Sequence, residues 1–153
     1  MKLTENFSLS ELTRSQTATR KGIDNSPDDA QLTALRDLCA NILQPIRDHF
    51  GKSVRISSGL RVPELNSAIG GSTTSDHCKG MAADFEIAGV DNRELAIFIR
   101  DNMKFKQLIL EFYEAGIPDS GWVHCSFDPD NLKADVKTAK KVGGKTVYVA
   151  GIE

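Results

Sequence analysis

The sequence predicts one domain, residues 1–153, built of both helices and strands, and three observations carry that reading. The chain has 153 residues, the length of about one domain of roughly 100 to 200 residues. Leu32, Leu35, Cys39, Ile42 and Ile46 recur at helical spacing and give one stripe to bury. Met81 to Ile87 instead alternates with a period of two, so that Met81, Ala83, Phe85 and Ile87 share one strand face and Ala82, Asp84 and Glu86 the other.

Taken in order, Ser8 to Thr13 reads as a short helix, with Ser8 as N-cap and Glu11 placed to reach back to the cap amide. The polar stretch Thr17 to Ser26 reads as a surface loop. Ser26-Pro27-Asp28-Asp29 then looks like a helix start: a capping serine, proline at the first helical position, and acids near the positive dipole end. Pro45 should kink the long helix that follows. Val54 to Ser58 alternates as a strand, and Pro63 to Ile69 forms a brief helix stopped by Gly70-Gly71.

Asp91 to Arg100 is a capped helix with Leu95, Phe98 and Ile99 on its buried side. Gln107 to Phe112 and Gly121 to Phe127 read as strands. The tail from Ala134 to Val149 splits at Gly143-Gly144 into two alternating segments, a C-terminal β-hairpin.

Composition narrows the function classes. With 40% hydrophobic and 26% charged residues the chain is an ordinary globular sequence. Its net charge of -2 predicts no nucleic-acid partner. No apolar run approaches the ~20 residues of a membrane span, and MKLTENFSLSEL lacks a secretory apolar region, so synthesis in the cytosol, as a monomer, is the expectation. Cys39, Cys78 and Cys125 are an odd set without close pair spacing, which argues against a disulfide framework.

The chain has three histidines. His49, near the end of the long helix, reads as a surface residue favoured by the negative dipole end. The other two lie in short polar segments at strand edges. In Ser75-Asp76-His77-Cys78-Lys79-Gly80-Met81-Ala82-Ala83-Asp84, a loop histidine leads through a glycine turn into a strand carrying an aspartate. In Trp122-Val123-His124-Cys125-Ser126, His124 shares a strand face with Trp122 and Ser126. An isolated carboxylate on the small, apolar strand of Asp84 would cost several kcal/mol, and a cation beside it removes that cost.

His77, Asp84 and His124 together offer zinc three ligands and leave a fourth position open, the pattern of a catalytic site. The competing reading has His77 exposed in a loop, His124 hydrogen-bonded in the core and Asp84 satisfied by backbone amides. Cys78 and Cys125 adjoin the two histidines and raise a thiol nucleophile, but strand neighbours face opposite ways, so Cys125 should point away from the site.

The segments Ser58-Gly59-Leu60-Arg61, Ser75 to Asp84 and Trp122-Val123-His124 resemble, in order and spacing, the zinc D-alanyl-D-alanine carboxypeptidase family, which also contains phage L-alanyl-D-glutamate endolysins. The likeness runs from about Phe7 to Phe127 and is greatest to the compact phage-type branch. It implies an α+β fold with helices packed on a small antiparallel sheet and Zn2+ held at the sheet by His77, Asp84 and His124. The substrate it implies is a peptide bond in bacterial peptidoglycan stem peptides, reached by an enzyme of phage or prophage origin released to the cell wall through a separate pore.

Arg61 matches the arginine that this family sets near the metal to hold a substrate carboxylate or the developing oxyanion; a solvated surface arginine is the other reading. One position departs from the pattern. Many members carry an acidic general base three residues before the last zinc histidine, and here that residue is Gly121. Glu111, sharing a strand face with Gln107 and Ile109, is the expected replacement, with Asp119 second. The gap leaves two rivals to a catalyst: a zinc-containing binding module and a phage structural protein with the same fold. Lys133, Lys137, Lys140, Lys141 and Lys145 form a basic tail, read as a solvated hairpin edge ahead of a dock for an anionic wall polymer.

Overall fold

A computed structural model describes residues 1–153. The chain opens with a small pair of strands, β1 (Lys2–Thr4) and β2 (Phe7–Ser8), and then α1 (Leu9–Thr13). Ser8 caps α1, and the Glu11 side chain returns the bond to the cap amide, the reciprocal arrangement its spacing predicts.

The next stretch corrects the sequence reading. Residues expected to form a loop include a helix, α2 (Gln16–Lys21), capped by Ser15 and ending at Gly22. The start of the long helix also moves. Asp28, not Ser26, caps α3 (Asp29–Leu38), because its carboxylate accepts from the Gln31 amide while the Gln31 side chain reaches back to the Asp28 amide. Ser26 instead donates to Asp24.

Before Pro45 the helix widens into a π turn, Cys39–Leu43, and then continues as α4 (Gln44–Phe50). Proline has no N–H to offer the carbonyl four residues back, and a wider turn relieves the clash of its ring. Leu35, Leu38, Cys39, Ile42, Leu43 and Ile46 are all buried along this helix.

The remaining elements are β3 (Val54–Ser58), α5 (Pro63–Ala68), a 3-10 turn (Asp76–Lys79), β4 (Ala82–Ile87), α6 (Asn92–Asn102), β5 (Gln107–Glu111), β6 (Trp122–Ser126), β7 (Asp135–Val142) and β8 (Lys145–Ala150). The fold is α+β, with a six-stranded sheet in the order β3-β4-β6-β5-β7-β8. Its pairings are antiparallel except β5 with β7, which is parallel. The long connection from β6 to β7 permits that one parallel pair, and β7–β8 is the expected terminal hairpin.

The two faces of the sheet divide the labour. Ala83, Phe85, Leu108, Leu110, Val123 and Cys125 face a hydrophobic cluster of 23 buried residues that includes the long helix and α6. The alternate residues form rows on the other face: Asp84 pairs with His124 and His124 with Ile109, while Trp122 pairs with Glu111. Directly paired residues point the same way. A core on one side therefore fixes a polar site on the other. No helix is long and apolar enough to cross a membrane.

Candidate metal centre

Asp84 and His124 are held by register on the central strands β4 and β6, and His77 arrives from the 3-10 turn before β4. Gly80, at φ +72°, ends that turn and packs so closely on the long helix that a Cβ would lie 2.7 Å from the Gln31 carbonyl oxygen. Gln31 also donates from its side chain to the Cys78 carbonyl. A largely buried ion pair, Lys106 with Asp76 at 2.9 Å, ties the same turn to the start of β5. These contacts set where His77 can point.

One ligand atom from each of His77, Asp84 and His124 lies within 4.8 Å of the others. The Asp84 carboxylate oxygen is 2.9 Å from His124 Nδ1 and 3.4 Å from His77 Nε2. Ligands to one tetrahedral ion about 2 Å away sit roughly 3.3 Å from one another. His77 is 2% exposed, and its Nδ1 lies 2.7 Å from the Gly59 carbonyl oxygen. A carbonyl can only accept, so Nδ1 carries the proton and a neutral ring turns the lone pair of Nε2 toward Asp84. A lone pair facing a carboxylate needs a cation, either a proton on the ring or a metal ion. The donor set fits zinc, and the bond to Gly59 is the outer-shell support that orients a ligating histidine.

Burial by itself would push the Asp84 carboxyl up, but the imidazoles of His124, at hydrogen-bond distance, and of His77 beside it outweigh burial and hold the group well below the usual carboxylate range. Burial would likewise lower His124; the bond to Asp84 and the charges of Asp84, Glu111 and Asp76 reverse it and raise the imidazole. The two opposite shifts share one cause, the 2.9 Å contact between the Asp84 carboxylate and the His124 ring.

The cluster opens into a cleft of about 420 Å³ that Arg61, Glu111, Trp122 and Tyr148 also line. Glu111 comes to the site two residues along β5 from the His124–Ile109 pair, on the same face and opposite Trp122. Burial first, then the charge of Asp84, pushes its carboxyl up, against the opposing influence of His124, Trp122 and Arg61. Arg61 is carried by the loop after β3, which Asn25 clamps: its amide donates to the Thr13 and Leu60 carbonyls and its oxygen accepts from the Val62 amide. Arg61 Nε and the Trp122 indole N–H are buried without a partner.

Gly121 has a structural reason. It sits at φ +63°, and a Cβ there would collide with the Glu111 carbonyl and come within 2.8 Å of the backbone of Phe112 and Tyr113. The end of β5 occupies the space that a side chain three residues before His124 would need. Asp119 faces a different cleft, beside Glu11 and Glu86. Cys125 lies in the core, where burial raises its thiol. His49 is exposed and stacks on Phe98, with ring centroids 4.0 Å apart.

Sequence reading missed Tyr148, Asn25 and Lys106. Tyr148 joins the cleft through a chain of pairings, Trp122 with Glu111, Glu111 with Ala139 and Ala139 with Tyr148. That row depends on the parallel β5–β7 pairing, for which no local pattern gives a signal. Asn25 and Lys106 act on partners more than ten residues away, and the stretch around Asn25 read only as a surface loop.

A family model described as Peptidase M15 matches residues 5–126, well over half of the chain, and the match ends before the β7–β8 hairpin. No curated protein sequence matches.

Proposed function

This chain belongs to the peptidase M15 family, which makes it a metallopeptidase, and on that premise we propose that it is a zinc-dependent enzyme cutting a peptide bond in bacterial peptidoglycan stem peptides. The observation that carries the reading is the convergence of His77, Asp84 and His124 at the floor of a cleft that also holds an arginine and a glutamate. In this reading His77 Nε2, His124 Nδ1 and an Asp84 carboxylate oxygen hold the zinc. When bound, zinc polarises an amide carbonyl and lowers the pKa of water.

The chain's own groups do the rest. Glu111 takes the proton of the attacking water at its carboxylate and returns it to the leaving nitrogen; a carboxyl raised by burial is suited to both transfers. Arg61, always charged and with a buried N–H in need of an acceptor, holds the substrate carboxylate or the oxyanion. The D,D-carboxypeptidase and L-alanyl-D-glutamate endolysin types are the two forms of the proposal, with a phage or prophage origin and action at the cell wall.

Gly121 favours one alternative, a zinc-dependent binding module, since the place of the usual acid is filled by backbone. Mass spectrometry of muropeptides incubated with the zinc-loaded protein separates the two. A shortened stem peptide, lost on chelation, identifies both activity and bond. Zinc-dependent binding of intact muropeptides without any cleavage selects the binding module.

A further inference from the structure

A second cleft, of about 450 Å³, adjoins the metal cleft, and Arg61 lines both. Arg14 and Arg20 line it with Arg61, and no acidic residue does. None of the three arginines forms an ion pair with a carboxylate of the protein. The neighbouring cleft that also includes Arg14 differs in this respect, since Glu11, Glu86 and Asp119 line it.

The floor of the arginine cleft is β3. Ile56, Ser57 and Ser58 line it in succession, and successive residues of a strand point to opposite faces, so the cleft runs along the strand's edge. β3 is the end strand of the six-stranded sheet, with β4 as its one strand partner. α1 packs against it, and past its end the Leu60 N–H donates to the Leu12 carbonyl, which leaves the stretch at Ile56 to Ser58 lining the cleft. Ser58 pairs with Asp84, and Ser57 Oγ donates to the Asp84 carbonyl, so this edge is one strand from the metal ligands.

An open strand edge recognises an extended peptide by backbone hydrogen bonds. Unpaired guanidinium groups recognise carboxylates by charge-assisted, two-pronged bonds. We propose that the Arg14–Arg20 cleft is a substrate subsite that takes an extended peptide bearing a second carboxylate, one beyond the group held at Arg61. This rests on the peptidase reading, since it supposes a peptide lying across Arg61 from one cleft into the other. The wall on this side comes from α2, the helix at Gln16–Lys21.

The test uses the full zinc-loaded chain, isotopically labelled, titrated with acetyl-L-alanyl-D-glutamate and separately with the corresponding D-glutamine peptide, which lacks the side-chain charge. The acidic peptide should bind at least about tenfold more tightly and shift the amide resonances of Ser57 and Ser58. The double variant Arg14→Gln/Arg20→Gln, altered at two exposed residues, should keep its zinc and bind both peptides alike. Equal affinities in the wild type, a preference that survives in the double variant, or no binding of either peptide overturns the subsite. Turnover without discrimination between the peptides would leave the peptidase standing and the subsite refuted. Charge-selective binding lost in the double variant, with no turnover of any muropeptide, would do the reverse.

Discussion

The two halves of the cleft are built on opposite terms. On one half, the groups that set the His77, Asp84 and His124 side chains have partners inside the protein: His77 Nδ1 on the Gly59 carbonyl, Asp84 between both imidazoles, and the turn before β4 pinned by Lys106 and Gln31. On the other half, Arg61 Nε and Trp122 Nε1 are buried and unpartnered, and Glu111 is pushed toward its protonated form. A buried polar group without a partner costs about 1–3 kcal/mol. On the proposed function, the completed half is the one that would hold an ion in one geometry, and the incomplete half is the one that would take the substrate.

The largest effect should come from removing charge where the structure is already satisfied. Asp84→Asn keeps the shape and drops the anion that both histidines face, so zinc content should fall from about one per chain to near zero, and hydrolysis with it. Elemental analysis after dialysis checks this; full zinc occupancy in Asp84→Asn would erase the distinction between the two halves. Next in size is Glu111→Gln, which should lower turnover by about a hundredfold to ten-thousandfold with zinc unchanged. Asp119→Asn, in another cleft, should stay near wild type in the same assay. A reversed result would move the base to Asp119.

Arg61→Lys should cost less, on the order of tenfold or more in kcat/KM, since the charge survives and the two-pronged donor does not. Unaltered kinetics for Arg61→Lys and for Arg61→Ala would return that residue to the surface.

The smallest effect is one of pH. Zinc needs neutral histidines, and His124 is raised above its ordinary value of 6.5, so a proton competes with the metal at a higher pH than for a free imidazole. Asp84, held low, remains ionised throughout that window. On acidification, zinc affinity measured against a competing chelator should therefore begin to weaken above about pH 6.5. An onset well below that value would mean that the Asp84–His124 pair is weaker than its 2.9 Å separation implies.

How much of this was legible in the sequence follows the same division. The ligands lie in short segments whose alternation places Asp84 and His124 on a polar face, and the register of β4 with β6 then pairs them directly. Local chemistry was misread where a second solution competed: Asp28 outdoes Ser26 as a cap because it has Gln31 to answer it, and α2 forms because Ser15 and Gly22 bracket six residues. The role of Gly121 was legible only as a gap. Its cause is the passage of the Glu111–Tyr113 backbone beside it, a tertiary fact. Tyr148 and the arginine cleft belong to the same class, since each joins elements far apart in the chain.

The most direct test of the central claim is zinc K-edge X-ray absorption on the wild-type protein reconstituted with one equivalent of zinc at neutral pH. The account predicts one tightly held zinc with two imidazole nitrogens and a carboxylate oxygen in a four-coordinate shell of nitrogen and oxygen, at about 2.0–2.2 Å, and without sulfur. A shell containing sulfur from Cys78, a site with fewer than two imidazoles, or no stoichiometric zinc would contradict it.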